Sequence, residues 1–555
     1  ERSRGLGDVY KRQEFTIGEE GVARQSLYTT PAGEWMAGAR SGDSFYATRP
    51  VTLFGGLMNV AYDEIDLVSN TAKRMRFMDS DGTQVNYGGI ASVQCFSPLD
   101  NQIYAVVYNE DLTGQNWATF DRENLRYDII CPFNGKFNVM GLAATPDGQM
   151  YCISADGDLY TVNKKNGRVS LVGPTGVGVA GYTQSMEYDG KTGTFLWAAV
   201  TNHGSLLYSV DPATGAAEEI TGFAQGEQIV GVYFAQPEGL PKAPAAITDF
   251  TIDLAAPHAT SGNFKITLPT LAGDGTTGLG NMEVTVALDG EIICDAETHS
   301  PGETVTVPFE TEEGNRYIAI TLRNGEGYGP YNIVRRYLGY DYPNAVTDLT
   351  LAVENKVASV SWTASEGGQN QGYIDPERLS YRVWRMPENV MVADNLKATS
   401  FQETLPETVR HYYYKVEACN GADHVGAPAE SNKVLAGSAF EVPYERAFTD
   451  QASDDDYTIL DLDGDGYTWA VSAWNPEMDV NVTNVEGGEN NDWLITPNIR
   501  LEAGKVYRFS ANLRSAFASY PEYWVMGFAK EINPESVDNF TIFKEWVDFK
   551  GDDFA

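Results

Sequence analysis

Gly148-Gln149-Met150-Tyr151-Cys152-Ile153 leads into Gly157-Asp158-Leu159-Tyr160-Thr161-Val162, turns at Asn166-Gly167 and returns through Val169-Ser170-Leu171-Val172. Runs of β-branched, aromatic and aliphatic residues, each broken by Gly, Asp or Asn after about 8–12 positions, are the pattern of short antiparallel strands. A helix would need apolar residues at three- and four-residue spacing over a longer window, and that periodicity is nearly absent here. The same order recurs downstream. Ser185-Met186-Glu187-Tyr188 is followed by Thr194-Phe195-Leu196-Trp197-Ala198, then Ser205-Leu206-Leu207-Tyr208-Ser209-Val210, then Asp211-Pro212-Ala213-Thr214-Gly215 and Ala217-Glu218-Glu219-Ile220. Leu159-Tyr160 aligns with Leu207-Tyr208, a period of 48 residues.

A weaker unit runs from Val93 through Ile103-Tyr104-Ala105-Val106 to Trp117-Ala118-Thr119-Phe120, and another starts near Trp35. Four strands per repeat over residues 14–238 resemble the blades of a β-propeller, in which each sheet buries its faces by stacking on its neighbours around an axis. The segment holds about four to five such units. Val230-Gly231-Val232-Tyr233-Phe234 reads as a last strand that completes a blade begun elsewhere, and further blades are expected N-terminal to this sequence.

The chain has 555 residues, enough for about three to five modules. Lys and Arg number 39 against 77 Asp and Glu, for a net charge of −38. Such a field disfavours nucleic acid and anionic membrane as partners. Hydrophobic residues at 42% and aromatics at 12% are sufficient for real cores, so the acidity does not imply disorder. No run reaches the roughly 20 apolar residues of a membrane helix, so no membrane insertion is expected of this sequence. Cysteines at 95, 131, 152, 294 and 419 lack metal or disulfide spacing and read as buried thiols. Residues 1–13 are opposite in charge sign to the rest and read as adapter-like sequence. The end at Asp552-Asp553-Phe554-Ala555 lacks a closing turn, so both ends are expected to be cuts.

After Pro237, Pro241 and Pro244 a new strand series begins with Ile247-Thr248-Asp249-Phe250-Thr251-Ile252 and Phe264-Lys265-Ile266-Thr267-Leu268. It continues through Thr304-Val305-Thr306-Val307 and Tyr317-Ile318-Ala319-Ile320-Thr321-Leu322, and residues 239–342 resemble a fibronectin type III domain. The family's tryptophan on the second strand is replaced by the Ile266/Leu268 region. Residues 343–437 resemble the family more closely, with Trp362 at the expected core position in Ala358-Ser359-Val360-Ser361-Trp362. One tyrosine of Tyr412-Tyr413-Tyr414 is a candidate for the corner hydrogen bond of such sandwiches. Spacing or docking is the default role of these modules.

Residues 438–555 concentrate acid, with 23 Asp and Glu against 8 Lys and Arg. Within Ile459-Leu460-Asp461-Leu462-Asp463-Gly464-Asp465-Gly466-Tyr467-Thr468-Trp469, the alternating Asp461, Asp463 and Asp465 can point into one concavity, with Gly466 permitting a sharp turn. Three carboxylates that close call for a cation, and Ca²⁺ accepts several hard oxygens in irregular geometry. Position twelve of the loop is Ser472, where an EF-hand has Glu, so the loop is not of that type. Asp492 is a candidate fourth ligand; the alternative is an Asp/Gly turn without metal. This stretch, then Asn491-Asp492-Trp493-Leu494-Ile495-Thr496-Pro497, then Gly504-Lys505-Val506-Tyr507, resembles the cleaved-adhesin or choice-of-anchor J family. That resemblance implies a calcium-containing jelly roll, here incomplete, in a secreted or surface protein of Bacteroidota-type bacteria, some of whose relatives are attached to cysteine proteases.

Gly176-Val177-Gly178-Val179-Ala180-Gly181 matches a dinucleotide fingerprint but follows Gly173-Pro174-Thr175 and opens no helix, so it reads as a loop. Gly190-Lys191-Thr192 lacks the glycine five residues earlier and reads as a turn. Histidines 203, 258, 299, 411 and 424 show no paired metal spacing, and no nucleophile signature or singled-out carboxylate pair is visible. Of the aromatics suited to stacking on sugar rings, Trp469 and Trp493 read as core. Tyr520, Tyr523 and Trp524 read as ligand contacts. The sequence thus points to an all-β chain of propeller, two type III sandwiches and a jelly roll. The expected function is binding of an extracellular glycan or host protein, or else service as the accessory region of a secreted peptidase or glycoside hydrolase.

Overall fold

The computed structural model describes residues 10–18, 21–30, 35–52, 58–69, 71–76, 90–109, 113–122, 124, 126–181, 184–223, 228–234, 236–445, 457–464, 466, 468–471, 480–481, 491–511, 522–530 and 536–549. Every regular element among them is a β-strand, so the chain is all-β. Two units divide it, residues 1–339 and 340–555.

The first unit opens with a hairpin, β1 (Tyr10–Gly18) and β2 (Gly21–Thr30). Four four-stranded sheets follow, each an antiparallel meander in chain order. Sheet one is β3 (Ala37–Ser41), β4 (Ser44–Thr52), β5 (Met58–Asp66) and β6 (Thr71–Arg76). Sheet two is β7 (Ile90–Ser97), β8 (Gln102–Tyr108), β9 (Gln115–Asp121) and β10 (Arg126–Pro132). Sheet three is β11 (Val139–Ala144), β12 (Met150–Ser154), β13 (Asp158–Val162) and β14 (Val169–Pro174), and sheet four is β15 (Ser185–Asp189), β16 (Thr194–Thr201), β17 (Gly204–Val210) and β18 (Ala217–Gly222).

The first strands β3, β7, β11 and β15 lie side by side in that order. Small residues make this convergence possible: Ala37, Ala39, Ala91, Ala143 and Ala144 are buried there, and a Cβ on Gly141 would press on Met186 and Trp197. Larger side chains fill the space between sheets farther out. Trp117 of sheet two is fully buried and donates its Nε1–H to the Lys164 carbonyl of sheet three (2.8 Å). Lys164 in turn bonds Asp100 (2.8 Å) and Ser97 (2.9 Å) of sheet two.

Residues 230–234 form no strand, yet they pack where the sequence places a final one. Val232 and Phe234 rest on Leu196, Ala198 and Leu207 of sheet four, and Tyr233 rests on Phe45 of sheet one (ring centroids 5.6 Å).

The first sandwich comprises β19 (Asp249–Leu254), β20 (Ser261–Thr267), β21 (Met282–Leu288), β22 (Glu291–His299), β23 (Thr304–Glu310), β24 (Gly314–Asn324), β25 (Gly327–Tyr328) and β26 (Asn332–Leu338). Its sheets are β19-β20-β23 and β22-β21-β24, with β25 and β26 both on β24. In the second unit, β27 (Thr347–Glu354), β28 (Val357–Thr363), β29 (Leu379–Met386), β30 (Val390–Leu396), β31 (Ser400–Thr404), β32 (Arg410–Asn420), β33 (Ala429–Glu430) and β34 (Val434–Ala436) repeat that order. A three-stranded sheet facing a second sheet whose last edge is shared by two short segments, β25 and β26 in one sandwich and β33 and β34 in the other, is the fibronectin type III arrangement.

Strict alternation drives the packing: Val305, Val307 and Phe309 of β23 point inward between exposed neighbours. Ile266 and Leu268 are buried where Trp362 stands in the second sandwich, and Phe264 on the same strand stacks on Phe309 at 4.1 Å, while Trp362 packs edge-on to Tyr381. Tyr412 makes the corner bond, its hydroxyl donating to the Thr408 carbonyl (2.8 Å).

The remaining strands form three antiparallel pairs: β35 (Thr458–Asp461) with β38 (Asp492–Ile495), β36 (Ala470–Val471) with β37 (Val480–Asn481), and β39 (Glu522–Phe528) with β40 (Thr541–Phe549). All five cysteines are free thiols, four of them buried and Cys131 partly so.

Candidate functional site

Asp461 ends β35 and stands directly opposite Asp492, which begins β38. Like charges in opposed positions of an antiparallel pair destabilise it unless something neutralises them. Backbone donors supply part of that. Asp461 accepts from Gly464 N–H through Oδ1 (2.7 Å) and from Gly466 N–H through Oδ2 (3.1 Å). Both glycines have positive φ, 73° and 82°, which lets the chain fold back over the carboxylate. Asp463 reaches across the loop, its Oδ2 accepting from Asn491 N–H (2.7 Å), and Leu462 N–H donates to the Asn491 carbonyl (3.1 Å). Trp469 closes the far side by donating Nε1–H to the Asp492 carbonyl (3.1 Å).

Asp461, Asp463 and Asp492 therefore gather at one end of a single strand pair. Asp465 lies outside the described residues. Among the described residues, no group of three or more His, Cys, Asp or Glu side chains is placed to hold a metal ion.

Of the aromatic candidates, Tyr520 lies outside the described residues. Tyr523 is 63% exposed and its hydroxyl donates to Glu545, a bond that is the main cause of its raised pKa. Trp524, the next residue on β39, is half-buried with its ring 5.5 Å from that of Trp469. The two neighbours thus have different surroundings, Tyr523 at the surface beside Glu545 and Trp524 against Trp469. Trp493 packs on Phe540 (5.5 Å) and donates to Asn491 Oδ1 (3.0 Å).

In the first unit the structure holds a feature the sequence reading missed. The outer face of the first sandwich, carried by β21, β24 and β26, covers the turns joining the first two strands of the repeat sheets. Tyr317 donates to the Pro98 carbonyl (2.8 Å), Thr321 to the Pro146 carbonyl (3.3 Å) and Tyr328 to Asp147 (2.7 Å). Leu99 is buried there with Ala287, Tyr317 and Ala319. An apolar residue inside a tight turn, as in Ser97-Pro98-Leu99-Asp100, is the signal that could have found this contact.

Near that face Glu187 sits on β15 close to Arg40 of β3, Cys95 of β7, its neighbour Tyr188, and Tyr331 of the sandwich. Burial pushes the Glu187 carboxyl up to about 8, against the opposing pull of the Tyr188 backbone bond and Arg40. Burial and Glu187 together push Tyr331 up to about 12. A carboxyl raised in this way holds its proton in the folded state after the unfolded chain has released it near 4.5. The stability of the first unit should therefore fall as pH rises from about 4.5 to about 8 and then level off. Thermal melts of the full chain across this range check it. Glu187→Gln should flatten the slope and raise the melting temperature at the alkaline end.

No protein-family model matches the chain, and no curated protein matches it. Among solved structures, a nidogen/laminin complex is similar at 12% identity and a TM-score of 0.28, covering 40% of this chain and 94% of that one. The FN1–FN3 domains of chicken CNTN1 match at 18% identity and a TM-score of 0.15, over 44% of this chain and 75% of that one. A two-domain fibronectin type III segment of chicken tenascin matches at 11% identity and a TM-score of 0.17, over 35% and 99%.

Proposed function

We propose that the chain belongs to an extracellular or cell-surface binding protein that engages glycans through its repeat unit and is stabilised at its C-terminal end by Ca²⁺. The observation behind the binding reading is the closure of the first sandwich over one face of the four-sheet repeat. Tyr317, Leu99 and Ala287 are buried in that contact, so the two modules present the opposite face of the repeat from a fixed platform. A rigid scaffold that displays loops is how β-modules recognise ligands. The extracellular setting is supported by the resemblance of the last module to cleaved adhesins. A glycan array probed with the full chain, with Ca²⁺ and with chelator, tests the reading; the absence of binding under both conditions would overturn it.

Calcium is supported by the opposed pair Asp461 and Asp492, with Asp463 folded toward it, since oxygen-only ligand sets suit this cation. No helix among the described residues is long and apolar enough to cross a membrane. Millimolar Ca²⁺ should raise the melting temperature of the full chain's C-terminal transition. Asp463→Ala should abolish that increment rather than only lower the baseline, as calorimetry with and without chelator would register.

A further inference from the structure

The four-sheet repeat closes on itself through its own tail. Residues 229–234 fill the space between sheet four and sheet one, the two outer members of the row β3, β7, β11 and β15. The other seams are thick. Between sheets one and two, two and three, and three and four, clusters of eleven, twelve and nine buried apolar side chains span the joint. At the fourth seam, among the described residues, sheet one buries Phe45, Ala47 and Ile65 and sheet four buries Leu196, Ala198 and Leu207. Every residue of 229–234 between them is only partly buried. The ring of sheets therefore has one thin seam.

A few local contacts hold that seam. Ser185 Oγ of β15 donates to the Ile229 carbonyl (3.1 Å) and accepts from Val232 N–H (3.2 Å). Arg40 Nη1 of β3 donates to the Phe234 carbonyl (2.5 Å), with the guanidinium 5.5 Å from the Tyr233 ring. Gly231 has a φ of 71° and lies flat against Phe45, where a Cβ would stand 2.1 Å from the ring. The chain then runs directly to the first sandwich. Leu240 is pinned there by its N–H, which donates to the Tyr328 carbonyl (3.1 Å), and its side chain fills the place a Cβ on Gly327 would take. Six residues carry the chain from Phe234 to Leu240, a reach of about 20 Å at full extension. Lifting the sandwich farther than that draws the segment out.

We propose that residues 229–234 are a clasp, that the ring opens at this seam while its other three seams stay closed, and that the docked sandwich keeps the clasp shut. The device needs no ligand. A segment held by side-chain bonds and half-buried contacts opens at a lower free energy than a packed core, which places this seam at the low-stability end of the unit. Opening parts sheets one and four and uncovers Phe45 and Leu207. Undocking of the sandwich and opening of the ring are thereby one coupled movement.

Thiol labelling of the full chain reads each seam separately. Cys95 and Cys152 are buried between sheets two and three and report a closed seam. Ala198→Cys places a thiol in the fourth seam, and Ala47→Cys repeats the reading from sheet one should the first variant fail to fold. Under iodoacetamide in native buffer, with each site followed by peptide mass spectrometry, the thiol at position 198 should be alkylated at least about tenfold faster than Cys95 and Cys152. Adding Gly231→Ala or Tyr317→Ala should each raise that rate about tenfold more and leave Cys95 and Cys152 unchanged. Equal protection at position 198 and at the two native cysteines overturns the clasp. So does a Gly231→Ala chain in which all three sites speed up together, or in which none does. A Tyr317→Ala chain that labels at position 198 no faster than its parent overturns the role of the sandwich.

Discussion

Replacing Asp341 by alanine should destabilise the second sandwich by about 2–4 kcal/mol, the cost of removing the shared acceptor of four neutral donors at about 1 kcal/mol or less apiece plus any that stay dry. Asp341 is fully buried. Its Oδ1 accepts from Tyr342 N–H (2.7 Å) and Asn370 Nδ2 (2.8 Å), and its Oδ2 accepts from Asn370 N–H and Gly372 N–H (both 2.8 Å). The donors left behind sit in a part-buried loop, so the cost is that of the lost bonds plus the amides that water does not reach. Asn420, equally buried, supports the same loop by donating to the carbonyls of Asp341 (3.0 Å) and Tyr373 (3.1 Å). Hydrogen exchange should therefore show residues 368–378 losing protection first, with a lower urea midpoint for the sandwich. Asp341→Asn keeps one acceptor and should lose roughly half as much. A midpoint unchanged in Asp341→Ala would mean that water replaces the carboxylate.

Asp341 also shows where the sequence stops being legible. It reads as one more acid in a chain of 77, because its worth depends on a loop that returns from thirty residues downstream. Strand alternation is local, and for that reason Val305, Val307 and Phe309, the 48-residue repeat and the core role of Trp362 could all be read directly. The acidic loop was half legible. Spacing indicated that Asp461 and Asp463 share a turn, and Asp492 was singled out from the distance, but their bonds to Gly464, Gly466 and Asn491 depend on the β35–β38 register.

Tyr317→Ala should release the first sandwich from the repeat unit. The side chain is 4% exposed, packs with Leu99, Ala287 and Ala319, and lies under the Arg335 guanidinium at 5.8 Å. Truncating a buried aromatic costs about 3–5 kcal/mol, here charged to the contact between modules rather than to either core. The sandwich keeps Ile318, Ile320 and Leu322 on its inner face, and the repeat keeps its inter-sheet packing around Trp117 and Trp197. The expected result is that the single transition expected of the native unit splits into two, with faster hydrogen exchange confined to the turns around Pro98 and Pro146. Tyr317→Phe separates hydrogen bond from packing: it leaves only the Pro98 carbonyl without its donor and should cost about 1 kcal/mol. The fixed platform is also what the binding proposal needs. Should Tyr317→Ala leave the unit melting as one and the turns protected, the two modules are joined by something other than this contact, and the open face loses its claim to be held in place by it.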